Sequence, residues 1–308
     1  MITTRSHQPL AAVIGAPGGL SSVFAGTLLH ADGTRLFVKA APATTAAARG
    51  YRREALIASR LPLTVPSARL RWHTEADGWI ILAFDAADGD LPDSGWSTSY
   101  RDTLVSAWRA TTAALTAASP ALRSAARRPQ PLPAGWADVA AGRRSLPAEA
   151  GHLTELAPQM SALEAGFLTG CDRADRLAHF DLRPDNIILG DDRVWIVDWA
   201  TLQPAPTWID VLILAVAASS DGADPDAFFD AFGTGADTTE VDQALAWMAG
   251  AWLTYAAGPP RPDAPQLRAF QLHHGTLTWR WLAARRNLPT TTTTRFASDH
   301  SADLGQGA

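Results

Sequence analysis

Lysine is almost missing from this chain: of its 26 basic residues, 25 are arginine and only Lys39 is lysine. Asparagine is as scarce, at Asn186 and Asn287. A single cysteine, Cys171, excludes an intramolecular disulfide and any multi-cysteine metal site, and reads as a small semi-buried side chain. No apolar run reaches the ~18 residues of a membrane-spanning helix. The N-terminus offers only the weakly apolar Pro9 to Ala16, too poor for a signal peptide and better read as a first strand. The cytoplasm is the expected location. Excess positive charge is absent as well. With 31 acidic residues the net charge is −5, which attracts neither nucleic acid nor anionic membrane but suits a cationic small molecule. Neither G-x-x-x-x-G-K-[ST] nor G-x-G-x-x-G occurs, so no P-loop and no dinucleotide site is indicated.

The arginine skew, with abundant Ala and Gly, is the coding bias of a GC-rich genome, under which lysine drifts to arginine wherever a generic cation will do. Lys39 sits in the apolar stretch Leu36-Phe37-Val38-Lys39-Ala40. There a compact ammonium and a planar guanidinium are not interchangeable, so its survival points to a specific demand.

What is present is the composition of a globular protein, 47% hydrophobic and 19% charged, long enough at 308 residues for two lobes. Residues 10–40 alternate strand and turn: Ala12-Val13-Ile14, the Gly-rich Gly15 to Gly19, Val23 to Leu29, the Ala31-Asp32-Gly33 turn, then Arg35 to Ala40. A helix is expected over 46–60, closed by Pro62 and Pro66, and then a hairpin from Arg69 to Phe84. Asp85 to Gly95, rich in Asp, Gly and Pro, reads as a hinge. A helix follows over 97–118, then an irregular connection over 119–150 with a short helix near Trp136, and another helix over 151–168. From Trp208 to Asn287 the pattern is helical in four segments, broken at Asp221-Gly222, Gly233 to Gly235 and Gly258 to Pro262. The last twenty residues, from Pro289 through five threonines, read as a disordered tail.

The strongest signal is Ala178 to Ala200, AHFDLRPDNIILGDDRVWIVDWA. A loop carrying His179, Asp181 and Asn186 leads into a short hairpin that ends on Asp198. This resembles the catalytic and metal-binding loops of the aminoglycoside phosphotransferases and, more distantly, of protein kinases. The resemblance spans residues 10–290. It implies an α+β, protein-kinase-like two-lobe fold. Residues 1–88 would form a small antiparallel-sheet lobe with one main helix, and residues 89–288 a larger, mostly helical lobe. The implied activity is transfer of the γ-phosphate of ATP (or GTP) with Mg2+ to a hydroxyl of a small molecule. Phosphoryl transfer asks a protein mainly for positioning and charge neutralisation. Asp181 matches the carboxylate facing the acceptor hydroxyl. Asn186 and Asp198 match the oxygen ligands that a hard cation prefers.

The same resemblance assigns Lys39 to the nucleotide phosphates and Glu54, on the following helix, to pairing with it. Gly18, Gly19, Ser21 and Ser22 match the nucleotide loop. Phe84 and Asp85 close the strand that reads the adenine edge. His179, Arg183 and Asp210 match loop supports, with Arg183 also placed to neutralise phosphate charge. Two departures stand out. Phe180 replaces the family's usual Gly between His and Asp, and Pro204-Ala205-Pro206 replaces Gly-Asp-Pro ahead of the next helix. The expected acceptor is an antibiotic, aminoglycoside-like or nucleoside-type. A metabolic acceptor of choline, homoserine or thio-sugar type is the alternative. An inactive nucleotide-binding scaffold is the reading from another class, opposed by Lys39, Glu54, Asp181, Asn186 and Asp198 all being in place. The acids Asp221, Asp224, Asp226 and Asp230 are either a receptor for a polycation or a solvated loop. Tryptophans lining the cleft would favour a ring-bearing acceptor. The chain is expected to be a monomer or homodimer.

Overall fold

The computed structural model describes residues 9–15, 24–92, 96–191, 193–262 and 264–288. The expectations for Gly18, Gly19, Ser21, Ser22 and the tail from Pro289 lie outside them.

Five strands, β1 (Leu10–Gly15), β2 (Phe24–His30), β3 (Arg35–Pro42), β4 (Leu70–Ala76) and β5 (Trp79–Asp85), form one antiparallel sheet in the order β1-β2-β3-β5-β4. Helix α1 (Ala46–Ala58) crosses between β3 and β4. Thr45 caps it by accepting from the Ala48 amide at 3.3 Å, and its apolar residues Ala48 and Ala55 pack on Ala41, Ile80, Leu82 and Phe84 of the sheet. Leu82 alone, fully buried there, contributes roughly 2 kcal/mol of apolar burial.

The rest is mostly helical: α2 (Thr98–Thr116), α3 (Pro120–Ala125), α4 (Gly135–Ala140), a 3-10 segment Ala148–Leu156, and α5 (Ala157–Arg173). Three short strand pieces, β6 (Leu177–Ala178), β7 (Ile187–Leu189) and β8 (Val194–Ile196), are followed by β9 (Gln203–Pro204), which pairs with β6 while β7 pairs with β8. Then come α6 (Ile209–Ser220), α7 (Pro225–Asp230), α8 (Thr238–Ala256) and α9 (Leu267–Arg286). Helix α6 is buried from Ile209 through Ala218, as a sequence that is apolar apart from Asp210 requires. Helices α4 and α8 meet backbone to backbone. A Cβ on Gly135 would stand 2.3 Å from the Gly250 carbonyl oxygen, so only glycine fits.

Two expectations changed. The 119–150 stretch contains α3, whose start carries a readable signal: Ser119 accepts from the Leu122 amide and Pro120 occupies the first turn. The helix expected over 151–168 begins at Ala157, where Pro158 again marks the first turn, and a 3-10 segment precedes it.

Most tryptophans are core, with Trp136 and Trp199 almost wholly enclosed, and Cys171 is fully buried. Beneath Trp136, the buried Glu164 carboxylate accepts from the amides of Trp136 and Ala137 at 3.2 and 3.1 Å, capping α4. Burial pushes its pKa up to about 7, against the pull of those amides. The folded protein therefore holds this proton more tightly than the unfolded chain. The stabilisation is full below the ordinary glutamate range and declines as pH rises towards 7. The melting temperature of the wild type relative to Glu164→Gln should fall between pH 5 and pH 8. A difference that does not change with pH would contradict this account.

Two contacts join the sheet to the helical part near the β7–β8 hairpin. Asp90 and Leu189 exchange backbone hydrogen bonds of 3.0 and 2.8 Å, and the Ile196 amide donates to Pro66 O at 2.7 Å. Gly89, at φ +136°, is what permits the first, because a Cβ there would lie 2.0 Å from the Leu189 carbonyl oxygen.

Candidate active site

The side chain of Lys39 leaves β3 on the face covered by α1. Its ammonium lies 2.8 and 3.0 Å from the two oxygens of Glu54 and 3.3 Å from an Asp198 oxygen. Glu54 is 2% exposed, so its charge depends on this partner. Burial opposes the Lys39 charge, but the Glu54 and Asp198 carboxylates outweigh it and hold the lysine pKa above its ordinary value. At Asp198 burial works against ionisation, and Lys39 with its neighbours more than offsets it, so the carboxyl stays below its usual range. Asp198 adopts a left-handed backbone at φ +63°, a strained conformation for a non-glycine residue.

The second group lies on the loop before β7. Asn186 donates its Nδ2 to Asp181 O at 2.8 Å and to Asp181 Oδ2 at 3.3 Å, so Oδ1 is its side-chain atom able to ligate a cation. Arg183 Nε stands 3.0 Å from Asp181 Oδ1 as an ion pair, outside hydrogen-bond geometry, and Nη2 reaches Asp185 at 3.1 Å. Burial pushes the Asp181 carboxyl up to about 7, with Arg183 pulling against it. The two groups are tied together through Val197. Its amide donates to Asn186 O at 3.0 Å, and its carbonyl bonds His179 Nε2 at 2.9 Å.

His179 is buried, and burial holds its imidazole well below the usual histidine pKa. A neutral ring donating from Nε2 braces the Asp198 turn. The buried Asp210 carboxylate, in the first turn of α6, accepts from the amides of His179 (3.0 Å) and Phe180 (2.7 Å), and Thr201 donates to His179 O at 2.8 Å. Phe180 sits at φ +67°, a left-handed conformation that glycine adopts without strain. Its ring packs on Trp247 with centroids 5.5 Å apart, and the Asp210 bond holds its amide. Asp210→Ala would orphan the buried His179 amide, at about 1–3 kcal/mol, and the part-buried Phe180 amide at less. A melting temperature lowered by several degrees is expected, with Asp210→Asn intermediate. Wild-type stability in Asp210→Ala would refute the bracing role.

Lys39, Glu54 and Asp198 are thus brought together, as are Asp181, Arg183 and Asn186, with His179 and Asp210 behind them. Phe84 and Asp85 make no hydrogen bond or ion pair with either group. Phe84 packs in the core under α1, the Asp85 carboxylate bonds Arg71 at 2.5 Å, and the Asp85 amide already donates to Arg69 O. Sequence reasoning missed Phe37, which shares the Lys39 face of β3 because side chains alternate along a strand. It also missed Thr201 and Arg53. The acid cluster divides. Asp221 accepts from Trp96 Nε1, Asp224 caps α7, and Asp226 joins Asp242 in pairing with Arg285. Three of its four acids are therefore already engaged.

Residues 15–251 match the family model described as the phosphotransferase enzyme family. The chain belongs to the phosphotransferase enzyme family. Solved structures share the fold of this phosphotransferase at low identity. Aminoglycoside phosphotransferase APH(4)-Ia superposes with a TM-score of 0.64 at 9% identity, over 93% of this chain and 96% of that one. The GDP complex of an aminoglycoside 2'-phosphotransferase IIIa mutant gives 0.62 at 15%, over 93% and 95%. A putative fructosamine-3-kinase from Thermobifida fusca gives 0.53 at 18%, over 91% and 97%. No curated protein sequence is a significant match to this phosphotransferase.

Proposed function

We propose that this phosphotransferase moves the γ-phosphoryl group of ATP or GTP, with Mg2+, to a hydroxyl of a small molecule in the cytoplasm. Residues 1–88 would be the nucleotide lobe and 89–288 the catalytic and acceptor lobe. The observation that carries the reading is the Lys39 ammonium held between Glu54 and Asp198, with Asp181 on the adjoining loop. Lys39 holds the α- and β-phosphates, and Glu54 fixes its direction. Phe37, on the same strand face, offers a ring to the base. Asp181 accepts the proton of the attacking hydroxyl, and Arg183 offsets charge on the moving phosphoryl group. Among the described residues no three His, Cys, Asp or Glu side chains form a metal cage. Asp198 with the Asn186 amide oxygen nevertheless suits Mg2+, which takes one or two protein oxygens beside phosphate and water. Bound there, the ion would neutralise phosphate charge.

Hygromycin B and kanamycin are bound in two of the structures that share the fold. The surroundings of Asp181 favour a ring-bearing acceptor over these polycations. Arg183 stacks on Phe270 at 5.0 Å, and Phe270 packs with His274 at 3.9 Å and Trp252 at 5.6 Å. Burial lowers the His274 pKa to about 4, so this wall carries rings beside an arginine already paired with Asp181 and Asp185. The test is incubation with ATP, Mg2+ and a panel of kanamycin, hygromycin B, nucleoside antibiotics, choline, homoserine and a thio-sugar. The expected result is the mass gain of one phosphate on a nucleoside-type compound. Kanamycin as the preferred acceptor would overturn the acceptor reading. Absence of ATP and GTP binding would overturn the whole.

A further inference from the structure

Arg53 stands next to Glu54 on α1, yet its contacts lie far away in sequence. Nε donates to Ala200 O (2.8 Å), Nη1 to Ala125 O (3.2 Å) and Arg127 O (3.0 Å), and Nη2 to Ala126 O (3.1 Å) and Leu202 O (2.8 Å). A guanidinium has five N–H donors, so each is used once, and every acceptor is a backbone carbonyl. Ala125 to Arg127 end α3. Ala200 and Leu202 belong to the 3-10 turn (Trp199–Thr201) and its exit, directly after Asp198. Helix ends leave such carbonyls without partners and favour a cation beside them. Burial lowers the arginine pKa, and no carboxylate is among its partners.

We propose that Arg53 is a positioning residue. It fastens the helix carrying Glu54 to the turn carrying Asp198, so that the Lys39–Glu54–Asp198 group is assembled before nucleotide arrives. The inference rests on the phosphotransferase reading of that group. Apolar packing, the Lys39–Glu54 bonds and the Arg52–Glu75 bonds hold α1 to the sheet, but none of them reaches the turn after Asp198. Five directed bonds to two separate segments fix its rotation and its advance at the residue before Glu54. Lysine could not replace it, because one ammonium offers three donors from one point and cannot span both segments.

The test compares Arg53→Lys and Arg53→Met with Arg52→Met, which removes an exposed arginine of the same helix whose partners, Glu75 on β4 and Ala43 O, lie away from the Asp198 turn. Both Arg53 variants should raise KM for ATP and lower kcat/KM on the order of 100-fold per correctly folded molecule, the scale of an ångström misplacement. Arg52→Met should stay within about twofold of wild type. Folded Arg53 variants with lower melting temperatures but wild-type KM and kcat/KM would reduce Arg53 to a structural staple and overturn the proposal. Amide exchange in the wild type decides it even if neither variant folds. Residues 52–56 and 199–202 should be protected without nucleotide, and ATP should change that protection by less than about twofold. Protection gained only on adding ATP overturns pre-assembly. A wild type that binds no nucleotide defeats the proposed function instead, while the exchange without nucleotide still reports whether the two segments are fastened.

Discussion

Asp181→Ala is expected to lower kcat by about 10²–10⁴-fold, the usual contribution of a positioned proton acceptor, while nucleotide affinity stays near wild type. The separation follows from the geometry. Asp181 contacts Arg183 and Asn186 and makes no hydrogen bond or ion pair with Lys39 or Glu54, so its loss should be felt at the acceptor more than at the phosphates that Lys39 would hold. Removing the carboxylate also leaves Arg183 with Asp185 as its remaining carboxylate partner, so Asp181→Asn, which keeps the shape, is the cleaner companion. Single-turnover kinetics beside a nucleotide-binding titration make the measurement. An undiminished kcat in both variants would remove Asp181 from the reaction.

Lys39→Arg should be almost as damaging although it preserves charge. The ammonium is seated 2.8 and 3.0 Å from the two Glu54 oxygens with Asp198 at 3.3 Å, and Glu54 is closed off from water. A guanidinium is wider, planar and longer-stemmed. It cannot present one point charge to two carboxylates and a phosphate from the same place. A shift of about an ångström at the phosphates costs on the order of 100-fold in rate. The same exchange at an exposed site should change stability by less than about 0.5 kcal/mol and leave turnover unaffected. The check is kcat/KM for ATP in a variant whose melting temperature shows that it is folded. Wild-type turnover would mean that the single lysine survived by accident.

The parts of the site legible in the sequence are those that depend on side-chain identity within a short stretch. His179, Asp181, Asn186 and Asp198 lie within twenty residues, and the hairpin between them is announced by two short apolar runs, Ile187 to Leu189 and Val194 to Val197, on either side of the Gly190 turn. Lys39 was conspicuous because the composition around it is so strongly against lysine. What stayed hidden works through backbone or through distance. Arg53 bonds only carbonyls, which every residue possesses, so no partner type marks it. Phe180 reads as an anomaly until its positive φ is seen. Asp221 and Asp226 looked like spare acids because Trp96 and Arg285, which occupy them, lie on other elements.

The crossing of residues 89–90 over Leu189 has a mechanical consequence. Only main-chain atoms hold it, in a reciprocal pair of hydrogen bonds, and Gly89 lets the two strands touch. If the space between sheet and helices widens to admit a nucleotide, this crossing either breaks both bonds or stays still while everything else turns about it. A side chain at position 89 would run into the Leu189 carbonyl oxygen at 2.0 Å and force these two segments apart, taking both bonds with it.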